Sequence, residues 1–257
     1  MINIYSKKNK ALANNSVPFL IGYLLAGYKK TNELLEILKQ LPNDTMDVLE
    51  LGFPSENPYS DGKVIATAHS MVNKKVASSI EYWQEVKDLY HKPIWLMAYR
   101  KDFIDNGIYK EFAKNKVIDA IVIPDASNEE RIKLQEELKQ YNIDVVGFVN
   151  PSMSEEQLDE VLSKFAFIYE QLYVGPTGSN HSETNFDSML NYTLNKYPNT
   201  IPFAGFGLNS KNKLDIIYSK GFKGAVIGTE LLKRYNISKE KLFNFLIDIS
   251  RSKESCK

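Results

Sequence analysis

The sequence predicts a (β/α)8 barrel, the TIM-barrel fold of the α/β class, as a single domain over residues 1–257. Eight short β-rich runs alternate with eight longer amphipathic runs, which is typical of repeated strand–helix units. A length of 257 residues is common for one such barrel. Neither a Pro/Gly/Ser-rich linker nor an internal repeat divides the chain. A doubly wound open sheet is the alternative, because alternation alone does not distinguish a closed sheet from an open one.

The elements follow one another along the chain in a regular order. The predicted strands are residues 17–25, 46–51, 93–98, 120–123, 144–149, 166–169, 201–205 and 224–227. Between and after them, apolar and charged residues recur at helical spacing. The predicted helices are residues 31–41, 61–88, 104–115, 128–140, 154–165, 183–196, 211–220 and 238–250. Each strand is thus paired with a helix, as the barrel requires.

Composition restricts the classes of partner and compartment. The chain has 43% hydrophobic residues, 32 basic and 32 acidic side chains, and a pI near 6.9. This balance gives no electrostatic argument for binding nucleic acid or an anionic membrane. The longest apolar run, residues 17–25, is too short to span a bilayer. The single cysteine, Cys256, excludes an internal disulfide and a thiolate metal cluster, which suits a reducing cytoplasm.

The second predicted strand carries a carboxylate among hydrophobic residues. Alternate side chains point to opposite faces, so Met46, Val48 and Glu50 share one face while Leu49 and Leu51 share the other. An unpaired ionised carboxylate there would cost several kcal/mol, so the pKa of Glu50 should be raised. That is the profile of a general acid or base. The simpler interpretation, favoured for an arbitrary glutamate, is a strand-end residue that reaches solvent.

Glycine-rich segments follow the last three predicted strands. In a barrel the active site is built from loops at the carboxyl ends of the strands, where glycines let backbone N–H groups approach an anion. A helix start adds the positive end of its dipole. A single glycine pair is more often a turn. Three glycine-rich segments after three consecutive strands, however, predict a phosphate-binding site. The segments are Gly175-Pro176-Thr177-Gly178, Gly205-Phe206-Gly207 and Gly228-Thr229.

Histidines give no comparable signal. His69, His91 and His181 are too scattered for a metal-binding pattern, and we expect them to be solvated or in turns. The sequence therefore predicts no metal site.

The sequence around Glu50 resembles the motif of a known family. Glu-Leu-Gly-Phe-Pro at 50–54 and Asn-Pro-Tyr-Ser-Asp-Gly at 57–62 are similar to the tryptophan synthase α-subunit motif Glu-Leu-Gly-x-Pro-Phe-Ser-Asp-Pro-x-Ala-Asp-Gly. Glu50 and Asp61 fall on the two catalytic acids of that family, with their spacing preserved. Ser55-Glu56-Asn57 replaces Phe-Ser-Asp in the segment that faces the β-subunit in the family.

The resemblance extends over most of the chain and implies further site residues. Tyr23 holds an aromatic position of the indole pocket, and Tyr169 holds that of the substrate-pocket tyrosine. Thr177-Gly178 belongs to the mobile loop, and 202–208 resembles Pro-x-x-x-Gly-Phe-Gly-Ile. Apolar walls would come from Tyr23, Leu96, Phe148 and Tyr169, although each alone is more often an ordinary core residue. Backbone groups of Gly178, Gly207, Gly228 and Thr229 would hold the phosphate, with Gly205 and Phe206 beside them.

These matches imply the retro-aldol cleavage of indole-3-glycerol phosphate to indole and glyceraldehyde 3-phosphate, a carbon–carbon lyase reaction of tryptophan biosynthesis. By resemblance, Glu50 would handle the protons at indole C3 and at the side-chain hydroxyl, and Asp61 would polarise the indole N–H. No cofactor is expected on this chain. Indole would pass to a β-subunit that carries pyridoxal phosphate, in an α2β2 heterotetramer.

Three other functions stay open on the sequence. The chain could be a catalytically quiet barrel that binds and regulates a β-subunit, a stand-alone indole-releasing lyase, or another phosphate-binding barrel aldolase or isomerase. Retention of Glu50, Asp61, Tyr169 and Thr177 favours the α-subunit lyase. Residues 54–61 and 175–186 are rich in Pro, Gly, Ser and Asn, which suits mobile lids.

Overall fold

The computed structural model describes residues 2–29, 32–173, 186–205 and 207–256, with strands that are all parallel. The strands are β1 (Phe19–Leu25), β2 (Val48–Gly52), β3 (Ile94–Met97), β4 (Ala120–Val122), β5 (Asp144–Val145), β6 (Gly147–Val149), β7 (Phe167–Gln171), β8 (Ile201–Gly205) and β9 (Gly224–Ile227). They pair in the order β5-β4-β3-β2-β1-β9-β8-β7-β6. Because β5 and β6 are consecutive, the ends of this order meet and the sheet closes. The predicted barrel is confirmed.

The fifth predicted strand, residues 144–149, is divided at one residue. β5 pairs with β4, whereas β6 pairs with β7 on the other side. Val146 lies between them, and its N–H still donates to the carbonyl of Ile121 at 3.0 Å. The two short strands together therefore act as the fifth strand of an eight-stranded barrel.

Helices cover the outside of this sheet. They are α1 (Lys7–Ala13), α2 (Glu33–Gln40), α3 (Lys63–Ser70), α4 (Lys74–Ala77), α5 (Ile80–Leu89), α6 (Arg100–Phe103), α7 (Ile108–Asn115), α8 (Asn128–Leu138), α9 (Glu155–Leu162), α10 (Asp187–Lys196), α11 (Lys211–Ser219), α12 (Thr229–Ile237) and α13 (Lys239–Ser250). Short 3-10 helices span Lys139–Tyr141 and Arg251–Cys256.

The prediction of one long helix over 61–88 was wrong, because capping residues interrupt it. The side chain of Asn73 accepts the N–H of Val76 and starts α4, and that of Ser79 accepts the N–H of Tyr82 and starts α5. The N–H of Asn73 also donates to the Gly27 carbonyl at 3.0 Å, which ties this break to the end of β1.

Aromatic side chains fill the barrel interior. The ring of Trp95 lies 5.1 Å from that of Phe167, 5.3 Å from that of Phe203 and 6.4 Å from that of Phe19. These four residues come from β3, β7, β8 and β1, so their rings meet across the barrel axis. The interior is therefore a packed core, as expected for eight strands.

Helix α1, which the sequence did not predict, lies against the amino-terminal end of the barrel. Asn9 accepts the indole N–H of Trp95 at 2.9 Å and donates to Asp144 at 2.8 Å. Asp144 also accepts the backbone N–H groups of Tyr5 at 2.7 Å and Ser6 at 3.2 Å. Hydrogen bonds to distant residues hold α1 in place. Its own short polar sequence carries little helical signal, and for this reason the sequence did not predict it.

No helix in the described part of the chain is long and apolar enough to cross a membrane.

Candidate active site

Glu50 lies inside the carboxyl-terminal half of the barrel. It pairs in register with Tyr23 on β1 and Trp95 on β3, so all three side chains point inward. The residue is only 3% exposed. Burial, and then the nearby charge of Asp61, raise the pKa of Glu50 to about 8. The simpler interpretation of a solvent-reaching strand end is wrong, and this carboxyl holds its proton at neutral pH.

Asp61 stands at the end of the loop between β2 and α3. Its Oδ2 accepts the hydroxyl of Tyr99 at 2.8 Å, and the same hydroxyl accepts the N–H of Ser60 at 3.1 Å. The Asp61 side chain is 4% exposed. Burial and the Asp61 charge raise the pKa of Tyr99, so its phenol stays protonated and keeps donating to the carboxylate. Tyr99 therefore fixes the position of the Asp61 carboxyl group, which is largely shielded from solvent.

His69 was expected in solvent or a turn, and that expectation was wrong. It is 2% exposed on the inner face of α3, where its Nε2 lies 3.4 Å from the Tyr23 hydroxyl and 3.9 Å from Asp61 Oδ2. Its Nδ1 accepts the N–H of Ser55 at 3.0 Å. Burial lowers the pKa of His69 to about 4. The sequence contained a signal for burial only, since His69 is four residues after the apolar Ile65 and so shares its helix face.

Aromatic rings form one wall next to the carboxylates. Phe148 and Tyr169 stack with their ring centroids 4.9 Å apart and their planes at 9°. The guanidinium of Arg131 lies 4.7 Å from the Phe148 ring on a side chain that donates to the Ile123 and Pro124 carbonyls. Burial, followed by the charges of Glu50 and Asp61, raises the pKa of the Tyr169 phenol. The structure thus brings Tyr23, Phe148 and Tyr169 to the same side of the sheet as Glu50.

Leu96 does not join this wall. It is fully buried in β3, directly after the inward-pointing Trp95. Because successive strand residues face opposite sides, the side chain of Leu96 points outward, to the helices. Its register partners are Leu51 and Ile121, which lie on the same outer face.

The late glycines leave space that side chains of the site use. A Cβ on Gly205 would lie 2.2 Å from the Tyr169 ring, and one on Gly228 would lie 3.2 Å from Tyr23 Cβ. Gly207 adopts a φ of +81°, which favours glycine. Thr229 is the first residue of α12, so its N–H and the helix dipole point to this end of the barrel. Gly205, Gly207, Gly228 and Thr229 therefore surround the carboxyl ends of β8 and β9.

Three residues of the predicted site, Thr177, Gly178 and Phe206, lie outside the described residues. Within the described ranges, no cluster of three or more His, Cys, Asp or Glu side chains has the arrangement of a metal site.

A closed β/α barrel with a protonated, buried glutamate beside a second carboxylate at its carboxyl-terminal end is typical of barrel enzymes that use acid–base catalysis. The family model described as tryptophan synthase alpha chain matches residues 9–255. The chain belongs to the tryptophan synthase alpha chain family. The family and the carbon–carbon lyase activity that the resemblance implied are thereby confirmed.

Relatives and solved structures agree over nearly the whole length. The tryptophan synthase alpha chain of Petrotoga mobilis is 29% identical, with 98% of this chain and 99% of the relative covered. That of Caldicellulosiruptor saccharolyticus is 30% identical, with 95% and 97% covered. Mycobacterium tuberculosis tryptophan synthase superposes with a TM-score of 0.83 at 18% identity, covering 98% of this chain and 99% of that chain.

Proposed function

We propose that the chain cleaves indole-3-glycerol phosphate to indole and glyceraldehyde 3-phosphate, with Glu50 and Asp61 as its acid–base pair. The observation that carries this assignment is the buried carboxyl of Glu50, whose pKa is raised to about 8. General acid–base catalysis works best with groups that exchange protons near the operating pH. Family membership supports the reaction, and the geometry supports the choice of residues.

The reaction requires three proton movements. A proton is added to indole C3, and the side-chain hydroxyl gives up its proton as the carbon–carbon bond breaks. The indole N–H proton passes to a base in the C3-protonated intermediate and returns to nitrogen as the bonding electrons restore the indole ring. Glu50 begins protonated, so it can donate to C3 and then take the hydroxyl proton. Asp61, held by the Tyr99 hydroxyl at 2.8 Å, accepts the indole N–H proton and returns it as indole forms. Two carboxyl groups in different surroundings can divide such work.

The rest of the proposed site binds the two ends of the substrate. Tyr23, Phe148 and Tyr169 provide flat apolar surface for the indole ring. The phosphate lies at Gly207, Gly228 and the start of α12, where backbone N–H groups and the helix dipole favour an anion. Thr177 and Gly178 complete this cradle in our proposal, with Gly205 and Phe206 beside it.

The proposed partner is a β-subunit in an α2β2 heterotetramer. A solved relative from Pyrococcus furiosus, 22% identical with a TM-score of 0.77, is described as an α2β2 tryptophan synthase complex with mutual activation. Family membership implies that this chain carries no cofactor and that pyridoxal phosphate belongs to the β-subunit.

We also propose a cytoplasmic location, because the near-absence of cysteine suits a reducing compartment.

The test is indole release by the Glu50→Gln variant. The amide cannot exchange the proton, so we expect the kcat for indole-3-glycerol phosphate to fall by at least ~10². The matched control is Glu111→Gln on the exposed face of α7, which should keep wild-type turnover. Turnover by Glu50→Gln close to that of the wild type, in a folded protein, would remove Glu50 from the mechanism.

A further inference from the structure

His69 connects three separate parts of the site described above. It projects from α3, contacts the hydroxyl of Tyr23 from β1, and accepts the N–H of Ser55 from the loop after β2. Its Nε2 also lies 3.9 Å from Asp61 Oδ2. A leucine would fill a buried position on a helix at lower cost than a polar ring, since each buried polar atom must find a partner. The imidazole finds its partners within the candidate site.

The hydrogen bond from Ser55 determines which ring nitrogen carries hydrogen. A backbone N–H can only donate, so Nδ1 must accept and is unprotonated. Burial lowers the pKa of His69 to about 4, so the ring is neutral at physiological pH. A neutral imidazole has one N–H, which must then be at Nε2. That N–H donates to the Tyr23 hydroxyl at 3.4 Å, and Asp61 Oδ2 lies 3.9 Å from the same nitrogen.

A neutral donor at this position affects Asp61 differently from a cation. It offers a hydrogen bond to the Tyr23 hydroxyl at 3.4 Å without placing a positive charge 3.9 Å from Asp61 Oδ2. The Tyr23 hydroxyl, which accepts from His69 at 3.4 Å, keeps its own proton. Burial, and then the charges of Asp61 and Glu50, raise the pKa of Tyr23 and favour that protonated state. The contacts from Ser55 through His69 to Tyr23 therefore join the loop after β2 to β1 next to the Asp61 carboxyl group.

We propose that His69 is a positioning residue for indole release: its neutral Nε2–H tautomer holds Tyr23 and Asp61 in the geometry that the reaction needs. This inference rests on the proposed function, because Asp61 is there the group that accepts the indole N–H. His69 itself touches no reacting atom. It acts through the side chains of Tyr23 and Asp61, and through the loop that begins at Ser55.

The kinetic test compares two replacements of His69. His69→Leu removes both nitrogens, and we expect kcat for indole-3-glycerol phosphate to fall about 10- to 100-fold, since displacing a reacting group by about 1 Å can cost 10²-fold. KM should change less than about threefold, because the contacts with bound substrate remain. His69→Gln restores a donor near the Nε2 position and should recover kcat to within about fivefold of wild type. Thr67→Ala, exposed on the same helix, is the control with wild-type turnover.

A purely structural role predicts a different pattern. Leu and Gln variants would then lose activity in proportion to their loss of stability, with no rescue by Gln, and that result would overturn the proposal. So would wild-type kcat in His69→Leu.

Two further measurements do not depend on turnover. Nitrogen-15 NMR of the wild-type chain at pH 7 should report an Nε2–H tautomer for His69, and an imidazolium or an Nδ1–H tautomer would overturn the proposal. A crystal structure of His69→Leu should show a displaced Asp61 carboxylate, and an unmoved carboxylate would also contradict it. If the wild type releases no indole, the proposed function fails while these two measurements still decide what His69 does to Asp61.

Discussion

At the scale of single residues, burial inside the barrel determines the chemistry of Glu50. A glutamate on the surface ionises near pH 4.5, whereas the low-polarity interior and the charge of Asp61 raise the pKa of Glu50 to about 8. The sequence predicted the direction of this change from alternation along the strand. It did not predict His69 in the site, because a histidine in a helix has no local mark that shows which loop it will meet.

Gly205 leaves room for the ring of Tyr169. A Cβ there would lie 2.2 Å from the Tyr169 ring, so Gly205→Ala should displace the ring and reduce stability by ~1–3 kcal/mol. Urea denaturation measures this cost. In a Tyr169→Leu background the clash partner is gone, so the same substitution should cost much less. Equal costs in both backgrounds would show that the ring is not what Gly205 accommodates.

Glu170 is a second buried carboxyl, behind Tyr169 on the outer side of β7. It is fully buried, and neither carboxylate oxygen has a hydrogen-bond partner among the described residues. The nearby Thr193 hydroxyl donates to the Met189 carbonyl at 3.0 Å. Burial raises the pKa of Glu170 to about 7. The position carries a stability cost once the group ionises.

This cost predicts a pH dependence of stability. Between about pH 4.5 and pH 7 the unfolded chain has lost the Glu170 proton and the folded chain still holds it. The free energy of unfolding therefore falls as pH rises through that window. Glu170→Gln does not titrate, so its stability relative to wild type should improve by about 2 kcal/mol from pH 5 to pH 8. Urea denaturation at both pH values measures it. Glu160→Gln, exposed on α9, should follow the wild type, and a parallel response in Glu170→Gln would contradict the assignment.

At the scale of elements, α1 shows how tertiary contacts create a helix that its own sequence hardly favours. Asn9 lies completely buried and bonds Trp95, Asp144 and the backbone of Asp119. Only two of the seven residues of α1 are buried, so its apolar pattern is too short to predict a helix. Polar groups at the amino-terminal end of the barrel, which we call the barrel floor, stabilise α1.

Removing the Asn9 side chain should therefore be costly. Asn9→Ala leaves the Trp95 N–H and one Asp144 oxygen without this partner, and an unsatisfied buried group costs ~1–3 kcal/mol. We expect a loss of about 2–4 kcal/mol in the free energy of unfolding, measured by urea denaturation. Lys10→Ala, on the exposed side of the same helix, should change stability by no more than ~0.5 kcal/mol. A cost for Asn9→Ala as small as that of Lys10→Ala would show that the floor contacts do not stabilise the fold.

At the scale of the whole molecule, the loop after β2 joins the candidate site to the outer surface. The side chain of Asp61 at its end is only 4% exposed, while Tyr59 is 57% exposed and Glu56 forms an exposed ion pair with Lys74. A partner that docks on this loop can change the position of Asp61 directly. The departure of Ser55-Glu56-Asn57 from the family motif lies in this segment.

We therefore expect weak lyase activity from the chain alone and a marked rise when its cognate β-subunit is added. Measuring indole release in both conditions distinguishes the open alternatives. Full activity alone points to a stand-alone lyase, and no activity in either condition points to a quiet regulator of the β-subunit. The control is Glu50→Gln with the β-subunit, which should stay inactive if the added activity comes from this site.

Local pattern was sufficient for the barrel strands and for the buried position of Glu50, whereas Asp61 was chosen through the resemblance of the motif to the family. Eight apolar runs separated by amphipathic ones predict repeated strand–helix units, and the motif from Glu50 to Asp61 marks one loop at the carboxyl end of a strand. Both are encoded in neighbouring residues: the strand periodicity in alternate side chains, the loop in its Pro, Gly and Asp.

Closure, helix α1 and the position of His69 were decided only by the tertiary structure, whereas the breaks in residues 61–88 begin at local caps, Asn73 and Ser79. Closure depends on β5 and β6 pairing with β4 and β7, strands that meet only when the whole sheet curls. The direction of Leu96 depends on Trp95 entering the barrel. These features depend on contacts between residues far apart in the chain, and local propensity carries no information about which distant group will satisfy a buried polar atom.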